Sequence, residues 1–289
     1  MRITGLALIL KKGDSMETEI NQHYGSDDLC SKIFTALTQA GKDLNNLQLK
    51  DLAVIDQLHT GGHMATLELA RTTELSPGCT VLDAGCGIGG SCRLLAQECA
   101  FKVTGMDLVP EFIDVAEKLT QSTGLENTIT YSQGNILDTG LESNSFDAVW
   151  CQHTLMNIDD KDAAFGEFIR ILKPGGMMIL HEIVQGANEP IHLPVPWASH
   201  AAISVLTPWP EMEALILKNG FTCRFAKDRT DQAKKWWQRV KAALGKKTAA
   251  PSPLGPHLIF GDNGKSFGNT MSANLDEDRI RLMEGVFIK

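Results

Sequence analysis

Short apolar runs alternate with amphipathic segments over most of the chain. The runs predict strands at 79–84, 101–107, 128–132, 146–151, 177–184, 221–226 and 279–288. The segments between them predict helices, among them 89–99 and 110–122. A further predicted helix ends near residue 172, because a glycine-containing segment follows at 173–176. Strands that alternate with helices indicate a mostly parallel sheet covered on both faces. The pattern therefore predicts an α/β fold.

Three regions depart from this alternation. Residues 1–60 are predicted to form an N-terminal extension, polar and helical from residue 17, and residues 61–289 the main domain. Insertions near 185–206 and 228–277 interrupt that domain, and such insertions usually hold substrate-facing loops. Trp197 in the first insertion either shapes a pocket or anchors its loop. Trp236 and Trp237 in the second lie on an amphipathic helix and are expected to seat it on the domain.

Composition narrows the classes of partner. The 289 residues carry a net charge of −8 and no Lys/Arg-rich run, which argues against nucleic acid, whose binding relies on cationic side chains. No apolar stretch approaches the ~20 residues of a membrane span, and we expect no stable membrane association. The apolar start at 1–10 only faintly resembles a signal peptide, and Met16 is an alternative start. The seven cysteines include no Cys-x-x-Cys pair, so we expect free thiols, no metal site and a cytoplasmic protein.

The strongest local signal is a glycine-rich turn between a predicted strand and helix. Gly85, Gly87 and Gly90 fit the pattern G-x-G-x-x-G of dinucleotide-binding turns, and Asp107 follows at the interval that suits a ribose. Asp83, two residues before the first glycine, would repel a pyrophosphate but would suit a ligand bearing an ammonium and a sulfonium. A nicotinamide dinucleotide stays open as an alternative ligand, as does a structural role in which both carboxylates only cap helices.

Five motifs occur in an order that resembles class I S-adenosylmethionine-dependent methyltransferases: 83–90, 105–108, 134–136, 145–150 and 170–176. They look most similar to the small-molecule branch, which includes sarcosine/dimethylglycine, phosphoethanolamine and quinone methyltransferases. The resemblance implies a three-layer Rossmann-like fold: a seven-stranded, mostly parallel sheet with an antiparallel last strand, a helical N-terminal extension and an inserted substrate cap. It also implies S-adenosylmethionine as cofactor and a small-molecule methyl acceptor, with N-methylation favoured over O- or C-methylation.

The same resemblance implies roles for individual residues. Around the methionine part of the cofactor it places Gly85 and Gly87, with Asp83 near the amino group. Asp107 would accept the ribose hydroxyls, and the adenine would meet Leu108, Asn135 and Ile136. Gln152 and His153 would border the sulfonium, and Gly62 belongs to a segment, 59–62, that resembles one that closes over the cofactor. The chain departs from many relatives at Asn135, where they have Asp, and at Val109, where they have a helix-capping Ser.

Whether methyl transfer needs a base from the protein depends on the acceptor. The cofactor supplies the reactive methyl group, a neutral amine needs no strong base, and a phenol or an acidic carbon would need one. His153 is the candidate for substrate contact or proton transfer, and the slightly preferred alternative is a histidine that packs in the core or borders the cofactor. His181 is expected to be a strand residue satisfied by hydrogen bonds, and Cys151 a buried core residue. Two other functions stay open: a nicotinamide-dependent oxidoreductase and a non-catalytic cofactor-binding module.

Overall fold

The computed structural model describes residues 12–24, 28–244 and 252–289 of the chain. The apolar start at 1–10 and residues 245–251 of the second insertion lie outside these residues. No helix within the described ranges is long and apolar enough to cross a membrane.

A single seven-stranded sheet forms the centre of the fold. Its strands follow the chain as β1 Thr80–Ala84, β2 Lys102–Asp107, β3 Ile129–Gln133, β4 Phe146–Gln152, β5 Leu172–Gln185, β6 Thr222–Asp228 and β7 Ile280–Ile288. Their order across the sheet is β3-β2-β1-β4-β5-β7-β6, and β7 runs antiparallel to both of its neighbours. The predicted fold class, including the antiparallel last strand, is confirmed.

Helices cover both faces of the sheet and extend beyond it. They are α1 Lys12–Tyr24, α2 Leu29–Gln39, α3 Leu49–Asp56, α4 Gly62–Thr73, α5 Gly90–Cys99, α6 Pro110–Ser122, α7 Lys161–Ile171, α8 Trp209–Lys218, α9 Thr230–Leu244, α10 His257–Phe260 and α11 Phe267–Asp276. Strand side chains alternate between the faces, so Leu82 of β1 packs with α7 and α8, whereas Val81 packs with α4 and α5. The result is three layers of helix, sheet and helix.

One strand begins five residues before its predicted start, whereas the limits of the other six differ by at most two residues. The segment 173–176 was expected to end the preceding helix and to lie before the fifth strand, but β5 begins at Leu172. Phe146 pairs with Leu172 and Ala148 pairs with Met177, so more residues lie on β5 than on β4 between the two pairs. The intervening Lys-Pro-Gly-Gly therefore forms a bulge within the strand, which both flanking pairs hold in the sheet.

The N-terminal helices and the insertions pack as two further apolar clusters. Helices α2 and α3 pack against α6 through Leu37, Leu52 and Leu119. The insertions form the other cluster, in which Trp197 and Trp237 are almost fully buried among residues of α9, α11 and β7. The Trp237 indole N–H also donates to Thr60 Oγ1 over 3.1 Å, and so ties α9 to the segment that precedes α4.

Candidate active site

A cavity of about 210 Å³ opens at the carboxyl edge of the sheet, around the ends of β1, β2 and β4. Ligands of open α/β sheets bind at such an edge where the strand order reverses, which here is between β1 and β4. Nine of the ten residues singled out from the sequence line this cavity: Asp83, Gly85, Gly87, Asp107, Leu108, Asn135, Ile136, Gln152 and His153. Gly62 does not line it.

The glycine-rich turn has a backbone conformation that would be strained with residues other than glycine. Gly85 and Gly87 have positive φ angles, +80° and +54°, which place them in the left-handed region. A Cβ atom on Gly85 would lie 2.3 Å from Thr154 Oγ1, and one on Gly90 would lie 2.1 Å from the carbonyl oxygen of Asp56. The turn therefore needs glycine both for its conformation and for the close approach of neighbouring backbone.

Asp107 holds the glycine-rich turn and the start of α6 together. Its Oδ2 accepts a hydrogen bond from the Gly87 N–H over 2.8 Å, and its Oδ1 accepts one from the Val109 N–H over 3.0 Å. The second bond satisfies a donor at the beginning of α6, where Val109 provides no side-chain cap. Burial raises the pKa of Asp107. Each oxygen has a further lone pair, which can accept from a ligand hydroxyl.

Asp83 lies deeper than the sequence interpretation supposed. Only 2% of the residue is exposed, and its Oδ2 accepts a hydrogen bond from Cys92 Sγ over 3.1 Å. Burial raises the pKa of Asp83 to about 7. A cationic ligand in the cavity would favour the charged carboxylate, because opposite charges lower the pKa of an acid.

Helix α1 forms one wall of the cavity through Ile20 and Tyr24. Asn135 Nδ2 donates to Glu17 Oε1 of this helix over 2.6 Å, and Asn135 Oδ1 accepts from the Leu137 N–H over 2.9 Å. One lone pair of that oxygen is thus already used, and one is left for a ligand. The N-terminal extension contributes to the site itself, which the sequence interpretation missed.

The segment 59–62 lines the cavity through His59 and is connected to Gln152 by a chain of hydrogen bonds. His59 Nε2 lies 2.9 Å from the Gly62 carbonyl oxygen and 3.1 Å from Thr66 Oγ1, and Thr66 Oγ1 donates to Gln152 Oε1 over 3.1 Å. A carbonyl oxygen only accepts, so His59 Nε2 carries the proton. Gly62, placed near the cofactor by resemblance, thus orients His59 through its carbonyl instead of facing the cavity.

Three histidines cluster at the cavity: His59 and His181 are buried, and His153 is partly buried. The rings of His153 and His181 stack with centroids 5.2 Å apart, and His59 lies 6.1 Å from each. Burial lowers the pKa of His59 to about 4, that of His181 to about 3, and that of His153 well below its usual value. All three rings are therefore neutral at pH 7. The expectation that hydrogen bonds would satisfy His181 is wrong, because its Nδ1 is buried without a partner; His153 Nε2 is also unpartnered.

The cavity also has apolar walls. These come from the turn after β4, from both insertions and from α1: Ile20, Tyr24, Met156, Ile158, Pro196, Trp197, Ile259 and Phe260. The polar groups beside them are largely taken up within the protein. Asn157 Nδ2 donates to the carbonyl oxygens of Trp197 and Ile203, and the Trp197 indole N–H donates to Ser204 Oγ. Trp197 thus both anchors its loop and faces the cavity.

Most residues that sequence reasoning missed come from segments far apart in the chain. Tyr24, Met156 and Phe260 carry no motif, and their only local signal is an apolar position on a helix or next to a strand end. Such a position is equally typical of core packing. Asp56 had a partial signal, because it directly precedes the segment 57–62 that contains the candidate closing residues.

Comparison with known proteins decides between the candidate families. Residues 82–180 match the family described as methyltransferase domain. Phosphoethanolamine N-methyltransferase 1 of Arabidopsis thaliana is 29% identical over 197 residues, which cover 65% of this chain and 40% of that protein. Residues 82–180 thus match the methyltransferase domain family, and the chain is similar to class I methyltransferases. The cofactor of this family is S-adenosylmethionine, and the nicotinamide alternative is not favoured. The first curated relatives are matched over only 36–60% of their own length.

Solved structures show the same fold. Phosphoethanolamine N-methyltransferase 2 of Haemonchus contortus, in complex with phosphomonomethylethanolamine and S-adenosylhomocysteine, matches with a TM-score of 0.71 and 20% identity. The match covers 94% of this chain and 60% of that one. Geranyl diphosphate C-methyltransferase of Streptomyces coelicolor matches with a TM-score of 0.67 and 15% identity, over 98% and 99% of the two chains. At these identities the likeness concerns the fold, and the methyl acceptor has to be inferred from this chain.

Proposed function

We propose that this protein transfers the methyl group of S-adenosylmethionine to a nitrogen atom of a small, largely apolar molecule. The observation that carries the proposal is the lining of the cavity. The glycine-rich turn, Asp107, His153 and the apolar residues around Trp197 all line one cavity. A cofactor bound along the glycine-rich turn would present its methyl group to an acceptor that lies against the apolar residues.

The cofactor, when bound, supplies the electrophilic methyl group, and the protein contributes alignment. Gly85 and Gly87 would hold the methionine part, Asp107 the ribose hydroxyls, and Leu108, Asn135 and Ile136 the adenine. Holding two reactants in line can lower the barrier by up to ~7–11 kcal/mol. The apolar walls exclude water from the space in which the acceptor would lie.

The preference for nitrogen rests on His153 as well as on the resemblance to N-methyltransferases. Burial and the neighbouring His181 keep the His153 pKa well below its usual value, which makes this imidazole a weak base. A phenol or an acidic carbon must lose a proton before or during attack, whereas a neutral amine attacks through its lone pair. His153 Nε2 would then serve as a hydrogen-bond partner that orients the amine.

Calorimetric titration with S-adenosylhomocysteine and with NADH tests cofactor choice. We expect S-adenosylhomocysteine to bind, and Asp107→Ala to weaken it about 10²- to 10⁴-fold, since two hydroxyls would lose a charged acceptor at roughly 1.5–3 kcal/mol each. Asp114→Ala, which removes an exposed carboxylate from α6, is the matched control and should bind normally. Binding of NADH alone would contradict the proposal.

Turnover is tested separately, by incubation with methyl-labelled cofactor and a fractionated cell extract. We expect label in a small product that gains the mass of a methyl group on nitrogen and extracts into an organic solvent at alkaline pH. A protein that binds the cofactor but labels nothing in any fraction would be a non-catalytic module. A product methylated on oxygen or carbon would contradict the choice of nitrogen.

We further propose that residues 1–60 and both insertions act together as the cap of a domain spanning 61–289. Glu17 of α1 contacts Asn135 of the main domain, and Phe260 of the second insertion lines the same cavity, which supports this division. We place the protein in the cytoplasm on its cysteine pattern, and we expect no nucleic-acid partner at a net charge of −8.

A further inference from the structure

Gln152, the last residue of β4, has a side-chain amide held in one orientation. Its Oε1 accepts hydrogen bonds from Trp150 Nε1 over 3.0 Å, from Thr66 Oγ1 over 3.1 Å and from Ser91 Oγ over 3.4 Å. An indole N–H can only donate, so the amide atom that faces Trp150 has to be the oxygen. The three donors come from three different elements, β4, α4 and α5, and together they prevent the amide from flipping.

The other end of this amide lacks a partner. Gln152 Nε2 is buried and makes no hydrogen bond within the protein. Only 7% of the residue is exposed. The residue lines the cavity. A buried donor without an acceptor is costly, and buried amides in native proteins are almost always satisfied. The missing acceptor is therefore expected on a ligand of the cavity.

The position of Gln152 indicates which part of the ligand this is. Side chains alternate along β4, so Gln152 is on the same face as Trp150, which packs against α4 and α5. Ser91, which contacts its oxygen, lies in the first turn of α5 directly after the glycine-rich turn. Near the start of α5, where a Cβ atom on Gly90 would lie 2.1 Å from the Asp56 carbonyl oxygen, Asp56 Oδ1 is also buried without a partner. Gln57 Oε1 and Arg93 Nε lack partners there as well, but of these four residues it is Gln152 and Asp56 that line the cavity.

We propose that Gln152 Nε2 donates a hydrogen bond to the α-carboxylate of the methionine part of S-adenosylmethionine. Asp56 Oδ1, an unpartnered acceptor, faces the α-ammonium of the same zwitterion. This assignment rests on the proposed function, and it differs from the one implied by resemblance, in which Gln152 borders the sulfonium and Asp83 lies near the amino group. A bond from an amide to a carboxylate is charge-assisted, and hence stronger than a neutral one.

The hydrogen bonds that end at Gln152 Oε1 give the segment 59–62 a part in this recognition. The Gly62 carbonyl and His59 direct the Thr66 hydroxyl towards Gln152, and the resulting bond helps to keep Nε2 pointed into the cavity. Thr66 is thus a positioning residue, one that acts on the ligand through Gln152.

The test compares two ligands that differ only in the carboxylate, S-adenosylmethionine and decarboxylated S-adenosylmethionine. The key variant is Gln152→Glu, which keeps an oxygen for the three donors and replaces the free N–H groups by a second oxygen. We expect its affinity for S-adenosylmethionine to fall about 10- to 100-fold, and its affinity for the decarboxylated ligand to stay unchanged or rise. Gln97→Glu, an exposed change of the same charge on α5, controls for net charge.

The positioning role of Thr66 is tested with the same ligand pair. Thr66→Val removes the hydroxyl and should reduce the preference for the carboxylated ligand roughly two- to tenfold, since two donors to Gln152 Oε1 remain. Thr66→Ser keeps the hydroxyl and should restore the preference. A role in packing alone would be rescued better by valine than by serine.

Each other outcome overturns the assignment. An equal loss of both ligands in Gln152→Glu would indicate a structural role, and unchanged binding of both would show that Nε2 meets no carboxylate. A variant altered only in its KM for the methyl acceptor would mean that Gln152 contacts the acceptor instead. If the unaltered protein bound neither adenosyl ligand, the proposed function would fail together with this inference.

Discussion

Arg93 is a buried charge that does not line the cavity. No part of this residue is exposed, and its guanidinium donates to Asp56 Oδ2 over 2.9 Å and to the Ile88 carbonyl oxygen over 2.8 Å. Longer bonds lead to Ala116 O and Thr120 Oγ1 of α6. The side chain therefore connects α5 to the N-terminal helix α3 and to α6.

Replacing Arg93 by Met retains much of the apolar volume and removes the charge. Asp56 would then keep a buried carboxylate without its counter-ion, a situation that costs about 3–5 kcal/mol in folded proteins. Asp56→Asn is milder, because Arg93 still has three acceptors besides Asp56, and about 1–3 kcal/mol is expected. In the double variant no lone charge remains, so its loss of stability should be smaller than the sum of the two single losses.

The effect should also depend on pH, in a direction that the pKa of Asp56 determines. Burial already raises this pKa, and loss of the guanidinium raises it further. A carboxyl whose pKa is higher in the folded than in the unfolded protein stabilises the fold at low pH, and this contribution is lost as pH rises. Arg93→Met should therefore destabilise the protein less at pH 5 than at pH 8.

Urea denaturation followed by tryptophan fluorescence measures these differences at pH 5 and pH 8. Arg71→Met, which removes an exposed arginine from α4, is the control and should change the free energy of unfolding by less than about 0.5 kcal/mol. A loss below about 1 kcal/mol for Arg93→Met would refute the reasoning, since this is less than a buried unpaired carboxylate costs. An equal loss at both pH values would refute it as well.

Two further predictions concern the glycine-rich turn and a buried acid. Gly90→Ala would place a Cβ atom 2.1 Å from the Asp56 carbonyl oxygen, so we expect lower stability and weaker binding of S-adenosylhomocysteine by calorimetry. Gly166→Ala, whose Cβ atom would meet nothing nearer than 3.4 Å, should be neutral or slightly stabilising, and an equal loss in both variants would contradict the argument. Burial raises the pKa of Glu182 from 4.5 to about 7, so the fold should lose up to about 3 kcal/mol of stability as pH rises through this interval. Glu182→Gln should make the fall in Tm between pH 5 and pH 8 smaller. The fall that remains would be due to Asp83, whose pKa burial also raises to about 7. An unchanged fall in Tm would contradict the assignment.

The accuracy of sequence reasoning followed the range of the interactions involved. The strands, the glycine-rich turn and Asp107 were recognised because each depends on neighbours within a few residues or on a motif of known spacing. The bulge in β5 was missed because it results from pairing with β4, which periodicity does not reveal. His181 was misjudged for a similar reason: whether a ring nitrogen finds a partner depends on what lies across the fold.

The amino-acid sequence by itself determined the alternation of strands and helices, the resemblance to class I methyltransferases and the glycine-rich turn, because local periodicity and motif spacing are written along the chain. Only the tertiary structure decided which side chains share the cavity. Glu17 contacts Asn135 across 118 positions, and Trp237 contacts Thr60 across 177. Contacts at such separations form through packing of whole elements, and no local pattern encodes them. The same holds for the unpartnered nitrogen of Gln152, whose orientation depends on donors from three separate elements.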